Sequence, residues 1–273
     1  MPSVFVLPSA TNLSLAGSYS SGAVPTGGED LFIVEGNQNI TAGLSALSAV
    51  TLNRFVMAGT FGGRAGSAGA PLVIGGVTVD ALIDLSGWDM YVNLGTCAWA
   101  SLRETYNGSL TLTGGTVADL VTRAGKANLL AAAVVTRLNN VGAEVFAQAC
   151  ATDFTRVVNQ SGRLRSQRNA DNLWCTGGDT EWELDATIDA DLVIAGGSHN
   201  HGSGGSIDSL YGIAGEFRTR GLHKAIAVTT RIDRYKGFRW FPKDGAGSVS
   251  IASATKNDYG YDASDSSGAG VKG

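Results

Sequence analysis

The stretch "ADLVIAGG", residues 190–197, contains the pattern that decides the fold. An aliphatic residue is followed five residues later by glycine, and similar spacing returns in "ADLVTRAG" (118–125), "NLWCTGG" (172–178) and "SLYGIAG" (209–215). Seven glycines continue the pattern at intervals of 16 to 22 residues: Gly125, Gly142, Gly162, Gly178, Gly197, Gly215 and Gly237. The residues four or five positions before these glycines are all aliphatic: Leu120, Leu138, Val157, Leu173, Leu192, Leu210 and Ile232.

A repeat of this length cannot bury an apolar face alone, so its copies must stack. The repeat predicts an all-β fold, a single-chain β-helix (β-solenoid) with about 18–19 residues per rung. The aliphatic residues would form an internal column at the strand spacing of about 4.8 Å, and each glycine would permit a corner where a Cβ would clash. A second, less regular apolar position lies three residues before the first, where five of the seven residues are apolar: Val117, Val135, Phe154, Ala170, Asp189, Ile207 and Thr229.

Other repeat architectures fit the sequence less well. A leucine-rich repeat would show L-x-x-L-x-L and an asparagine ladder, and helical solenoids need longer periods and fewer glycines. The best helix candidate is residues 126–149, rich in Ala and Leu, but its β-branched pairs and the phase of Gly142 favour strands. We therefore predict an irregular N-terminal arm or cap (1–30), a β-helix (31–242, with the clearest repeats in 115–242) and a Gly/Ser-rich C-terminal arm (243–273).

Bulk composition excludes several functional classes. The 273 residues carry a net charge of −4, whereas a nucleic-acid-binding protein normally shows a basic face. No apolar run approaches the roughly 20 residues of a membrane span, and the N-terminus lacks the features of a signal peptide. Three cysteines are too few for a disulfide scaffold. We expect reduced, mostly buried cysteines, assembly in a cytoplasm, and neither nucleic acid nor membrane as a partner.

An acidic run is the strongest indication of enzymatic chemistry: Asp179, Glu181, Glu183, Asp185, Asp189 and Asp191. Glu181 and Glu183 alternate, so both would lie on one face of a strand, where a carboxylate pair can cleave polysaccharide. Trp174, Trp182 and Trp240 would then stack on sugar rings, and Asp185, Asp189 and Asp191 would suit Ca²⁺. A solvated sheet face explains the same residues with fewer assumptions, so we expect no enzyme, no catalytic residue and no cofactor.

The segment "GGSHNHGSGG", residues 196–205, places His199 and His201 two positions apart. In an extended strand both imidazoles face one side, and around a threefold axis they would present six nitrogen ligands to a metal. A glycine-rich surface loop is the simpler interpretation, and we expect no metal. These two histidines are the best metal-binding candidates in the sequence.

Charge is banded along the repeat, with basic residues on both sides of the acidic run. Stacked rungs would turn these bands into belts that set the register between subunits. We expect an interface near the C-terminal end of the β-helix, where aromatic and basic residues cluster. The interface candidates are Phe238, Trp240, Phe241, Arg231, Arg234 and Arg239.

Two segments resemble a family of tailed-bacteriophage virion proteins. "GAVPTGGEDLFIVEGNQNITAGL", residues 22–44, is similar to a "x-VP-x-x-GD-x-x-x-I-x-x-G-x-x-x-I-x-x-GL" opening that precedes β-helical rungs. "MAGTFGGRAGSAGAPLVIGG", residues 57–76, is similar to the "G-T-I-G-x-A-G-x-P-L" segment that follows it. The resemblance implies a structural protein that decorates or cements the capsid, commonly as a homotrimer, with the major capsid protein or another virion protein as partner. The alternative is a tail fibre or receptor-binding spike that binds or cleaves surface polysaccharide.

Overall fold

The chain forms a β-solenoid of about eight turns, in which successive coils stack in parallel. The computed structural model describes residues 2–41, 43–85, 89–104, 108–202, 204–219, 226–241, 249–250 and 254–260. The chain divides into two compact units. Unit 1 comprises Met1–Arg137, Ala143–Val145 and Ala149–Thr152, and unit 2 comprises Leu138–Gly142, Phe146–Gln148 and Asp153–Gly273. The predicted fold class is confirmed.

Short strands and tight turns account for nearly all of the described chain. A 3-10 helix (Ala16–Ser18) and a single-turn helix α1 (Ser45–Ser48) lie near the N-terminus. The strands, in chain order, are β1 (Ser3–Phe5), β2 (Asp30–Gly36), β3 (Thr51–Phe61), β4 (Leu72–Val73), β5 (Gly76–Leu85), β6 (Met90–Glu104), β7 (Ser109–Ala124), β8 (Lys126–Leu129), β9 (Ala133–Asn140), β10 (Glu144–Ala147), β11 (Phe154–Asn159), β12 (Arg163–Ser166), β13 (Ala170–Cys175), β14 (Asp179–Trp182), β15 (Ile188–Ile194), β16 (Ser198–His201), β17 (Ser206–Gly212), β18 (Gly215–Thr219), β19 (Ile226–Tyr235), β20 (Phe238–Phe241), β21 (Val249–Ser250) and β22 (Thr255–Tyr259).

Unit 2 contains two parallel ladders. One runs β11–β13–β15–β17–β19, and the other runs β12–β14–β16–β18–β20. The predicted aliphatic column lies in the first ladder, where successive rungs pair in register and every member is buried. Its members are Val157, Leu173, Leu192, Leu210 and Ile232. The central prediction from the sequence is thus confirmed in this unit.

Unit 1 contains an equivalent buried column, of which the sequence pattern reveals only Leu120. It continues through β1, β2, β3, β5, β6 and β7, and its members are Val4, Leu31, Phe55, Ala81, Ala100 and Leu120. Alanine and phenylalanine replace the aliphatic residue at three levels. The column is therefore continuous in this unit but irregular in side-chain volume.

The predicted second apolar column is correct except at two positions. Phe154, Ala170 and Ile207 do occupy it, but Ile188 and Val228 stand where Asp189 and Thr229 were expected. The reason is a β-bulge. Asp189 and Ala190 together oppose one residue of the neighbouring strand, and Thr229 and Thr230 together oppose Asp208. An extra residue therefore shifts the inward-facing position by one.

Glycine corners follow the predicted pattern at six of seven positions. Six of the seven repeat glycines have a positive φ, and Gly142 is the exception. At Gly197 (φ +68°) an added Cβ would lie 2.2 Å from the carbonyl oxygen of Gly178 in the rung beside it. Positive φ and the close approach of two backbones both require glycine there.

Two expectations about the less regular segments need revision. The helix alternative for residues 126–149 is wrong, because β8, β9 and β10 occupy that segment. Part of the predicted C-terminal arm is a strand, because it adds β22 in parallel to β19 of its own chain. The N-terminal arm likewise contributes β1, which pairs with β2. Residues 243–248 and 261–273 lie outside the described residues.

Within the described residues, neither helix has the length or apolar character needed to span a membrane. The three cysteines, Cys97, Cys150 and Cys175, all lie in the described part of the chain, are buried, and form no disulfide. Their burial agrees with the expectation from composition.

The corner geometry can be tested with a matched pair of glycine substitutions. Gly197→Ala introduces both a backbone clash and positive-φ strain, whereas Gly237 (φ +94°) has no atom within 4 Å of an added Cβ. Gly237→Ala should therefore cost only the conformational strain, about 1–2 kcal/mol. Gly197→Ala should cost at least about 2 kcal/mol more. Urea unfolding followed by far-UV circular dichroism measures both, and equal losses would contradict the stacked-corner interpretation.

Candidate functional site

The acidic run lies against basic side chains of the preceding rung. Arg165 of β12 pairs in register with Glu181 of β14, and the Glu181 carboxylate forms salt bridges with Arg163 (2.7 Å) and Arg165 (2.8 Å). The Glu181 side chain is only 7% exposed. Its neighbours Thr180 and Trp182 point into the coil and are buried. Glu181 is thus an outward-facing carboxylate covered by two guanidinium groups.

Glu183 has a separate set of partners. Its carboxylate accepts hydrogen bonds from the Nε2 groups of Gln148 (2.8 Å) and Gln167 (3.1 Å). The two carboxylates considered as a catalytic pair are therefore held by different side chains. Of the proposed sugar-stacking residues, Trp182 and Trp240 are buried in the core and only Trp174 is exposed.

The structure contradicts both sequence interpretations of His199 and His201. They lie on β16 and are fully buried inside the coil. Neither a surface loop nor a metal shared around a threefold axis agrees with this burial. In register, His199 lies between Thr180 and Phe217, so the imidazoles occupy core positions of the second ladder. Their spacing did predict correctly that both side chains face the same side.

The two histidines belong to a line of buried polar side chains inside unit 2, which we call the polar file. His199 Nε2 and His201 Nδ1 are 3.1 Å apart, and His199 Nδ1 lies 3.8 Å from Cys175 Sγ. Farther along the coil, Asn140 Nδ2 donates to Asn159 Oδ1 (2.9 Å), and Asn159 Nδ2 donates to Thr180 Oγ1 (2.9 Å). This short asparagine stack escaped sequence analysis, although both asparagines precede a repeat glycine by two or three residues.

Burial shifts the pKa values of the two histidines and of Cys175 in the polar file. It lowers the pKa of His201 to about 3, and burial followed by the nearby His201 lowers the pKa of His199 well below its usual value. Burial also raises the pKa of the Cys175 thiol to about 12. Both imidazoles are therefore neutral at pH 7, and the thiol is protonated, which makes it a poor nucleophile.

The calcium candidates do not converge on one point. Asp189 accepts a hydrogen bond from the Thr187 hydroxyl (2.6 Å), and Asp189 is exposed in the bulge of β15. Across the described ranges, no group of three or more His, Cys, Asp or Glu side chains is arranged to hold a metal ion.

The aromatic interface candidates form the end of the buried core of unit 2. Trp240 stacks on Phe217 with ring centroids 4.7 Å apart and is only 2% exposed. Phe238 is also buried, whereas Phe241 is partly exposed and lies beneath Arg218 and Arg239. Phe238 and Trp240 therefore offer little side-chain surface to a neighbouring molecule, and the interface prediction there depends on Phe241.

The basic candidates are paired within the chain. Arg231 contacts Asp233 (2.6 Å), Arg234 contacts Asp258 (2.8 Å), and Arg239 contacts Glu216. Basic and acidic residues of the same strand or of neighbouring rungs thus neutralise one another locally. The proposed charge belts are consequently weaker as long-range features than the sequence indicates.

An exposed apolar row on the outer face of the first ladder was not identified from the sequence. Val158, Trp174, Val193 and Tyr211 pair in register across β11, β13, β15 and β17. Trp174 is 40% exposed. The guanidinium carbons of Arg156 and Arg231 lie 5.8 Å and 5.6 Å from the Trp174 and Tyr211 ring centroids. We call these four residues the aromatic row.

The signal for this row was present in the sequence. Each member follows a residue of the predicted aliphatic column by one position, so it must face outward when its neighbour faces inward. The four residues are separated by three rung spacings, so the row extends over roughly 14 Å. Aromatic and arginine side chains together are typical of protein–protein contact surfaces.

Comparison with protein-family models, curated proteins and solved structures finds no match to this chain.

The buried histidines predict a specific pH dependence of stability. Their pKa values are lower in the folded than in the unfolded chain, so the unfolded state binds more protons as the pH falls below about 6.5. Stability should be fully present above that pH and be lost on acidification, at up to about 1.4 kcal/mol per pH unit for each histidine. Urea unfolding between pH 6.5 and 5.0 measures the slope before most carboxylates titrate.

The variant His201→Gln keeps a polar side chain but removes one titrating group. Its slope between pH 6.5 and 5.0 should fall to about half of the parent value, because one of two buried imidazoles remains. An unchanged slope would show that the two imidazoles do not control acid stability.

Proposed function

We propose that this chain is a structural protein of a bacteriophage virion that decorates or cements the capsid surface as a homotrimer. The sequence resemblance of residues 22–44 and 57–76 supports the virion role. The observation that carries the adhesive mechanism is the aromatic row. It places half-exposed apolar side chains at the same position of four successive rungs.

The aromatic row suits adhesion because its geometry is fixed by the backbone. Parallel pairing holds the four side chains at constant spacing, so little conformational freedom remains to be lost when a partner covers them. Arg156 and Arg231 lie against the rings and supply a polar margin. Buried aromatic and arginine side chains supply much of the energy of protein interfaces.

The contacts of the acidic run agree better with a structural role than with polysaccharide hydrolysis. Glu181 is engaged by two arginines and Glu183 by two glutamines, so each carboxylate stabilises contacts between rungs. The proposal therefore assigns no catalytic residue. A clearing test on surface polysaccharide with Glu181→Ala and Glu183→Ala addresses the point, since clearing that disappears in these variants would establish hydrolysis.

The location of the protein on phage particles is the decisive measurement. Cryo-electron microscopy of particles labelled with a specific antibody should place it on the outer surface of the head. A position on the tail would favour the alternative, a tail fibre or receptor-binding spike. Absence from purified particles would refute both virion roles.

The homotrimer is tested by a matched pair of exposed apolar residues in unit 2. Trp174→Asp places a charge in the aromatic row, whereas Ile213→Asp alters a side chain that is also exposed (45%) but lies outside the row. Light scattering should give a trimer mass for the parent and Ile213→Asp, and a monomer mass for Trp174→Asp. Circular dichroism checks that each variant is folded. A monomeric parent protein, or dissociation by both variants, would contradict the proposed contact.

A further inference from the structure

A groove on the outer face of unit 1 joins an aromatic side chain, polar groups and a positive charge that forms no salt bridge with the residues the structure describes. It has a volume of about 310 Å³ and is lined by Val56, Leu82, Ile83, Asp84, Trp99, Ser101, Arg103 and Arg123. We propose that this groove binds an acidic sugar, with the sugar ring on Trp99 and the carboxylate on Arg123. The volume is at the lower end of the range for small-molecule sites.

The floor of the groove is a row of aligned side chains. Val56 of β3, Leu82 of β5 and Ser101 of β6 pair in register. Val56 and Leu82 are partly exposed, so the floor offers an apolar surface with one hydroxyl at its end. This arrangement suits a ligand that has both an apolar face and hydroxyl groups.

The strand pairing is irregular at Arg123 and at Trp99, the two side chains proposed to hold the sugar. Thr122 and Ala124 pair with Leu102 and Arg103, so Arg123 is the extra residue of a β-bulge. A second irregularity lies between β5 and β6, where residues 78–80 oppose Ala98 and Trp99. Bulges redirect side chains and are common beside binding sites. Here the Arg123 side chain lies over the groove floor, and its Nε donates to Ser101 Oγ (3.0 Å).

The charges of the groove favour an anion. Asp84 is bonded to Arg103 (3.3 Å), so that carboxylate is already balanced by one guanidinium group. Among the described residues, Arg123 forms no salt bridge, and its only hydrogen bond is the one to Ser101. The terminal nitrogens of Arg123 therefore remain available, in a planar arrangement that matches a carboxylate.

The remaining lining groups favour a sugar over a simple anion. Trp99 is partly exposed at the groove, and an indole face can pack against the apolar C–H face of a pyranose ring. Asp84 can accept hydrogen bonds from sugar hydroxyls, and Ser101 can donate one. A hexuronate combines the three required features, namely an apolar ring face, hydroxyl groups and a carboxylate.

Titration calorimetry with glucuronate, glucose and triglutamate tests the proposal on the full-length chain. Glucuronate should bind saturably and at least tenfold more tightly than glucose, because only glucuronate offers a carboxylate to Arg123. Triglutamate should bind at least tenfold more weakly than glucuronate, because it lacks the ring. Equal affinities for glucuronate and either comparison ligand, or no saturable binding of glucuronate, would overturn the proposal.

Four variants locate the binding to the groove. Arg123→Gln should lower glucuronate affinity at least tenfold and leave glucose unchanged, while Trp99→Leu should weaken both sugars. Arg64→Gln removes the same charge outside the groove lining and should change neither. An equal effect of Arg64→Gln and Arg123→Gln would refute the site. Trp99→Phe retains a ring and should preserve most of the affinity, which separates lost stacking from misfolding. Binding here is independent of the proposed virion role.

Discussion

Parallel hydrogen bonding between successive coils is the constraint on which the rest of the structure depends. It holds each rung in register with the next, so equivalent positions form columns over many levels. Inside unit 2 this gives a continuous aliphatic file from Val157 to Ile232. On the outer face, the same pairing gives an equally ordered row of exposed side chains. One backbone interaction therefore determines both the core and the surfaces available for binding.

The aliphatic residue and its glycine sufficed to predict the solenoid, because the first recurs in the buried column and the second at the corners between strands. The second column could not be predicted at every rung. A spacing of three residues assumes a regular strand, and the sequence does not show that a bulge adds one residue near Asp189 and near Thr229. Unit 1 was obscured because Phe55, Ala81 and Ala100 occupy column positions without matching the aliphatic pattern. Such variation in side-chain volume hides the column from a pattern that tests for one residue type at each level.

Functional residues were harder to predict, because burial and pairing arise from neighbouring rungs about 16 to 20 residues distant. His199 and His201 look exposed among glycines, yet Thr180 and Phe217 place them in the core. Glu181 looks available until Arg163 and Arg165 are brought beside it. The same non-local contacts bring together the aromatic row and the groove around Arg123. The row could have been deduced from the predicted aliphatic column, whereas the groove requires the register between strands of unit 1.

The bulges near Asp189 and Thr229 have a consequence for how such a chain can change over generations. Each takes up an additional residue on the outer side while the inward residues on both sides keep their places. A single-codon insertion or deletion at these points would change the outer surface only. The side chains along the rest of the strand would keep facing the core or the solvent as before. Inherited length variation can therefore accumulate in the outer wall, where new recognition properties arise, while the stacked interior is retained.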